Sequence, residues 1–227
     1  MPEIGAASRW SRHLVHRTEH TRTTWKLRLG VLALLVVVPW LTSSCWTAAI
    51  GRSLVCEASL IPSDAILVEN FDPGYLLFER ARQLRQAGLA PRVLVPVPAD
   101  PATRQPQPVA LAMAQLMANL SRTGDVEIVP VREVEPITLN AARDVQSYLE
   151  REHLRSVIVV SPLFRSRRSA LVNAATLERA GIVAHCEPVR NPQTGNDWTA
   201  SWHGIQNVVE QWIKLQYYRL YVLPFRT

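Results

Sequence analysis

The sequence predicts an α/β domain, a parallel sheet with helices on both faces, preceded by one N-terminal transmembrane helix. Three observations carry that expectation. An uncharged apolar run from Leu29 to Ile50 follows a basic N-terminus. Beyond Asp64, short β-branched runs alternate with helical segments at a steady cadence, the pattern of strand–helix–strand units. Finally, Val157-Ile158-Val159-Val160 has no polar alternation, as a strand covered on both faces requires.

The elements follow in order. Residues 1–28 carry Arg9, Arg12, Arg17, Arg22, Lys26 and Arg28 against Glu3 and Glu19, so they read as a basic cytoplasmic tail. Residues 29–50 match the roughly 20 apolar residues that cross a bilayer, with Trp25, Trp40 and Trp46 near or within the ends. Pro39 is tolerable in a membrane helix. The positive-inside rule places the N-terminus in the cytoplasm and everything after Ile50 outside. We expect an uncleaved signal anchor in the inner (plasma) membrane, because the basic region is long and the run exceeds a signal-peptide core. Residues 51–63 read as a linker and 64–227 as the α/β domain.

Within that domain, Ala65–Val68 is the first strand. Tyr75–Ala87 is a helix stopped by Gly88, and Arg92–Val97 is the second strand. Prolines between Pro96 and Pro108 mark a stiff exposed loop. Val109–Leu120 is a helix, Val126–Val129 a strand, and Thr138 caps a helix running to Glu152. Val157–Val160 is the fourth strand, Arg165–Ala180 its helix, and Ile182–Ala184 the fifth strand. A closing helix spans Ser201–Tyr221, with Ile205, Val208, Val209, Trp212 and Leu215 at helical spacing. In such sheets ligands lie beyond the carboxyl ends of the strands. That selects the loops Glu69–Gly74, Pro96–Pro108, Val131–Asn140 and Ser161–Arg168.

Composition narrows the function classes. The chain of 227 residues has a formal charge of +6, but much of the excess sits in the tail. No basic stripe interleaved with aromatics marks the soluble domain, so nucleic acid is not an expected partner. The lipid bilayer is. Three cysteines provide no metal spacing, and His185 and His203 have no partner at ligand spacing, so no metal is expected. Outside the cytoplasm Cys56 and Cys186 can pair or stay free, since the sequence does not reveal their separation.

With these loops placed, the chain resembles the DUF218 family of YdcF/SanA/ElyC-like envelope proteins from about Asp64 to Tyr221. The matching landmarks are Asp64-Ala65-Ile66, Arg80 to Gly88, Glu135 with Thr138-Leu139-Asn140-Ala141, the Ser161–Arg168 turn, and Gly181-Ile182-Val183. The tail Trp198, Trp202, Glu210, Lys214, Tyr217 and Tyr218 is similar to one branch of the family. The resemblance implies a Rossmann-like fold, membrane anchoring, a part in bacterial cell-envelope biogenesis, and a nucleotide-like ligand for some members. This chain departs from the family at two glycine-rich turns, which here read Val68–Gly74 and Val95–Asp100. It departs again where the family's usual histidine is Arg165.

Candidate ligand-binding residues are Glu69, Asp72, Glu135, Asn140, Ser161, Arg165 and Arg168. Arg165 and Arg168 share a helix face near the ligand side and are read either as a clamp on phosphate or carboxylate or as a solvated helix start. Helix N–H groups there would favour the same anion. Asn140 either binds ligand or satisfies local backbone. Ser161 lacks a surrounding Gly-x-Ser-x-Gly, so it is not read as a hydrolase nucleophile. Trp198 and Trp202 pack under the last helix or present a sugar platform. The function expected is a membrane-anchored envelope factor that binds an anionic or nucleotide-like small molecule or envelope precursor. The alternative is a transferase or hydrolase acting on a phosphorylated precursor. No catalytic pair and no cofactor can be named from the residues.

Overall fold

A computed structural model of the chain describes residues 24–69, 75–100, 102–191 and 198–226. They form two compact units that part between Cys45 and Trp46. In the first, helix α1 (Trp25–Leu41) buries none of its residues. The apolar run expected as one helix over 29–50 is divided between α1 and α2 (Ser43–Ser53). Pro39 lacks the N–H that would continue the ladder, and the Thr42 N–H and hydroxyl both turn back to the Val38 carbonyl at 3.0 and 2.8 Å. No single helix among the described residues is long and apolar enough to cross a membrane; α1 and α2 together pass on length and composition.

The second unit carries five strands: β1 (Ala65–Val68), β2 (Arg92–Ala99), β3 (Glu127–Arg132), β4 (Ser156–Pro162) and β5 (Val183–Val189). All pair in parallel, in the order β3-β2-β1-β4-β5. This is a Rossmann-like order. Helices α3 (Leu76–Gln86) and α4 (Pro108–Leu120) cover one face, and α5 (Ile137–Arg151) and α6 (Ser166–Leu177) the other. The side-chain period of two divides each strand between the faces. Ile66, Val68, Val93, Val95, Ile158 and Val160 meet Leu77, Phe78, Leu84 and Met117. Ala65, Leu67, Leu94, Val157 and Val159 meet Val145, Leu149 and Leu177. Hence the unbroken apolar runs.

Two strands run further than expected. β2 continues through Pro96 and Pro98 to Ala99, so part of the supposed loop is sheet. Both prolines fall beyond Leu94, the last β2 residue paired with β1, so a missing N–H costs no bond on that side. After the strand, Asp100 Oδ1 accepts from the N–H groups of Ala102 and Thr103. β5 continues to Val189 because β4 pairs with it through Pro162. Helix α5 starts at Ile137 after Pro136, so Thr138 does not cap it but lies within its first turn.

The C-terminal helix α7 (Trp202–Tyr217) begins at Ser201, whose side chain accepts from the Gly204 N–H at 3.0 Å. It continues through a π-helical turn, Tyr218–Val222, into a short helix α8 (Leu223–Arg226). Tyr218 and Val222 pack on Leu139, Ala142 and Val172. Residues 51–63, read from the sequence as a linker, are tied to the domain. Leu54 is buried with Val208 and Leu215. Cys56 is disulfide-bonded to Cys186 of β5, 130 residues away.

Candidate functional site

The sheet order places the topological switch point between β1 and β4, whose outgoing connections lead to opposite sides. Glu69 and Ser161 stand at that point; the Glu69 N–H donates to the Val160 carbonyl at 3.1 Å. Next comes a 3-10 turn, Leu163–Arg165, and then α6. Four of the seven expected residues meet here: Glu69, Ser161, Arg165 and Arg168. Asp72 lies outside the described residues.

Glu69, Ser161 and Arg168 are buried and Arg165 is half-buried. Arg165 Nε lies 3.2 Å from Glu69 Oε2. Arg168 is only 6% exposed, so it is no solvated helix start. Its guanidinium lies 5.6 Å from the centre of the Tyr218 ring, a cation–π contact. Among the described residues Arg168 makes no ion pair and its Nε makes no hydrogen bond. Burial, and then the charge of Arg165, push its pKa below the ordinary arginine value; Glu69 opposes that shift. Ser161 Oγ and Ser169 Oγ are likewise buried without hydrogen-bond partners among the described residues. Buried polar atoms are nearly always paired, so such a concentration marks a place prepared for something else.

Beside the cluster, Glu69, Arg165, Thr138, Asn173, Leu67 and Pro96 line a narrow cavity of about 40 Å³. That accepts a group the size of a phosphate oxygen or a water, not a nucleoside. Tyr218 links the parts: its hydroxyl accepts from the Thr138 N–H at 3.1 Å while its ring faces Arg168.

Other expectations are corrected. The first N–H groups of α6 were expected to face a ligand, but the Arg167 N–H donates to the Leu54 carbonyl at 3.0 Å. Ser166 Oγ accepts from the Cys56 N–H at 3.0 Å and donates to the Leu163 carbonyl. The disulfide-bound segment thus occupies the helix start, and anion attraction falls to the arginine side chains. Asn140 is used locally, its Nδ2 donating to the Val134 carbonyl at 2.9 Å and its Oδ1 accepting from Arg143. Glu135 is exposed. Neither lines the cavity. Trp198 packs near Leu54, Phe164 and Val208, whereas Trp202 is exposed.

Sequence reasoning missed Ser169, Asn173 and the site role of Tyr218. A signal for the first two was available. Arg165, Ser169 and Asn173 recur every four residues, a polar stripe on one face of a helix that must cover a sheet. Also missed was the Arg80–Glu187 pair at 2.8 Å, in which a carboxylate at the end of β5 is held by α3. Among the described residues, no three His, Cys, Asp or Glu side chains group as metal ligands would. The chain matches no protein-family model and no curated protein.

Proposed function

We propose that this chain is a membrane-anchored, DUF218-like envelope factor whose domain binds a small anionic group, phosphate or carboxylate, at the β1/β4 switch point. One observation carries the reading: the buried Arg168 has no ion-pair partner and an unbonded Nε among the described residues, while Arg165 beside it is paired with Glu69. An uncompensated buried cation is costly, and a bound anion removes that cost. Arginine is suited to it by its planar fork of donors. Ser161 and Ser169 add hydroxyls with hydrogen-bonding capacity to spare. The adjoining cavity, lined by Glu69 and Arg165 but not by Arg168, has room for a water or a single oxygen of the anionic group. Ser161 has no hydrogen-bonded base among the described residues, which supports binding above nucleophilic catalysis.

The anchored, extracytoplasmic placement rests on the basic tail, the apolar residues of α1 and α2 taken together, and the Cys56–Cys186 bridge. Disulfides persist in oxidising compartments and are rare in cytosol. The test is thermal unfolding of the full chain in detergent with inorganic phosphate, pyrophosphate, uridine diphosphate or citrate. At a hundredfold excess over Kd, a binding anion should stabilise by about 2.7 kcal/mol. The Arg168→Met variant should lose the response. If none of the four anions shifts the wild-type transition, the binding proposal is wrong.

A further inference from the structure

A second cavity lies within the larger unit, separate from the switch point, and its chemistry is different. It measures about 510 Å³, within the range of small-molecule sites. Its wall is made by the C-terminal part of α2 and the residues after it, the turn before α6, and the side chains of Arg190 and Trp198. Among the described residues its lining includes Arg52, Arg167 and Arg190 and the acid Glu57, with Phe164 and Trp198 as aromatic surface.

Each part has a reason. Arg52 is the first charge after the apolar run that ends at Ile50. Ala48 and Gly51, at the end of that run, also line the cavity. Gly51 lets the helix approach Trp198 closely, since a Cβ there would lie 3.1 Å from the indole nitrogen, tighter than ordinary contact. Arg167 is exposed in the first turn of α6, where a cation opposes the helix dipole and no acid accompanies it. Its presence is not explained by the helix.

We infer that this cavity holds the phosphate of a lipid headgroup from the bilayer in which the chain is anchored. The inference rests on the anchor reading above. The apolar run leads by chain continuity into the cavity wall: Ala48 belongs to the run, and Gly51 and Arg52 follow directly after Ile50. Tryptophan and arginine are the side chains suited to that interface, one by its amphipathic ring and the other by its reach and charge. Arg52 and Arg167 suit an anionic headgroup better than a zwitterionic one.

The test reconstitutes the full chain into phosphatidylcholine vesicles with or without phosphatidylglycerol. Hydrogen exchange is read in the peptides spanning 46–57 and 163–170. Phosphatidylglycerol should protect both peptides, and Arg52→Gln with Arg167→Gln should weaken its apparent affinity about thirtyfold. That corresponds to about 1 kcal/mol per arginine at a membrane surface. Arg168→Met should leave this protection intact. Equal exchange with and without phosphatidylglycerol, or full protection in the double variant, overturns the inference. Protection by free glycerol 3-phosphate at equal concentration assigns the cavity to a soluble phosphate and overturns the lipid source. Flotation with pure phosphatidylcholine vesicles separates the two readings. A chain that fails to float has lost its anchor reading, while one that floats without lipid-specific protection has lost only this inference.

Discussion

Replacing Arg168 by methionine keeps an unbranched stem in the 6%-exposed site and removes the guanidinium. Two terms oppose each other. The contact with Tyr218, at 5.6 Å, is worth about 2 kcal/mol when desolvated. Against it stand the several kcal/mol of desolvation borne by a buried ion, and the repulsion from Arg165 that lowers the arginine's pKa. Glu69 keeps its partner Arg165 in the variant, so no carboxylate is orphaned. Buried ions exchanged for apolar groups of similar volume commonly leave a protein unchanged or about 1–4 kcal/mol more stable. We expect the unliganded variant to gain about 1–2 kcal/mol, or about 2–8 °C in Tm for a unit of this size. Near-UV circular dichroism of the full chain reads the transition. Arg179→Met, at an exposed position in the turn after α6, should stay within about 0.5 kcal/mol. Should Arg168→Met instead destabilise by more than about 1 kcal/mol, the guanidinium is a structural prop for Tyr218. The charge-surplus argument for an anion site would then fail.

Three further outcomes are expected. The Cys56–Cys186 bridge closes a loop of 130 residues, so Cys56→Ala with Cys186→Ala should cost about 3–5 kcal/mol in denaturant unfolding. Thiol titration of the native, unreduced chain should detect Cys45 alone; reaction at Cys56 or Cys186 would remove the bridge. Asp64 Oδ2 accepts from the N–H groups of Arg155 and Ser156 and from Ser156 Oγ, and these bonds, led by Arg155, hold its pKa below the usual carboxylate value. Its contribution is therefore complete above the unfolded pKa of about 3.9 and is lost as pH falls through the lower folded value. Asp64→Asn should cost about 1–3 kcal/mol at pH 7 and flatten the acid limb of the urea-midpoint profile; an unchanged limb would refute the linkage. A reporter fused after Thr227 should be active only outside the cytoplasm, and cytoplasmic activity would reverse the topology.

The fold was largely legible. Val157–Val160 lies in β4, between β1 and β5 and buried on both faces, as its unbroken apolar run requires. Gly181 adopts the left-handed conformation, with φ of 69°, that ends the α6 segment as a glycine stop should. Misreadings came where local rules met tertiary context. The second strand was expected to stop at Val97, before Pro98, yet β2 continues to Ala99 and accommodates that proline because β1 has already ended alongside. Thr138 looked like a helix cap, but Pro136 precedes the helix and the Thr138 N–H goes to Tyr218, 80 residues away.

The candidate site was half visible. Ser161 and Arg168 could be placed because strand exits and helix starts are adjacent in sequence, and the sheet rule says which end binds. Burial is another matter, being a property of what arrives from elsewhere. Arg168 reads as a surface cation until the turn after α7 lays Tyr218 across it. The N–H groups opening α6 read as free until the segment from Leu54 to Cys56 crosses them. Strand period, apolar runs and turn residues act over a few neighbours, so order along the chain carries them. Ion pairing, the disulfide and the surplus charge at the switch point arise between residues tens of positions apart. Only the closing of the chain on itself brings those together.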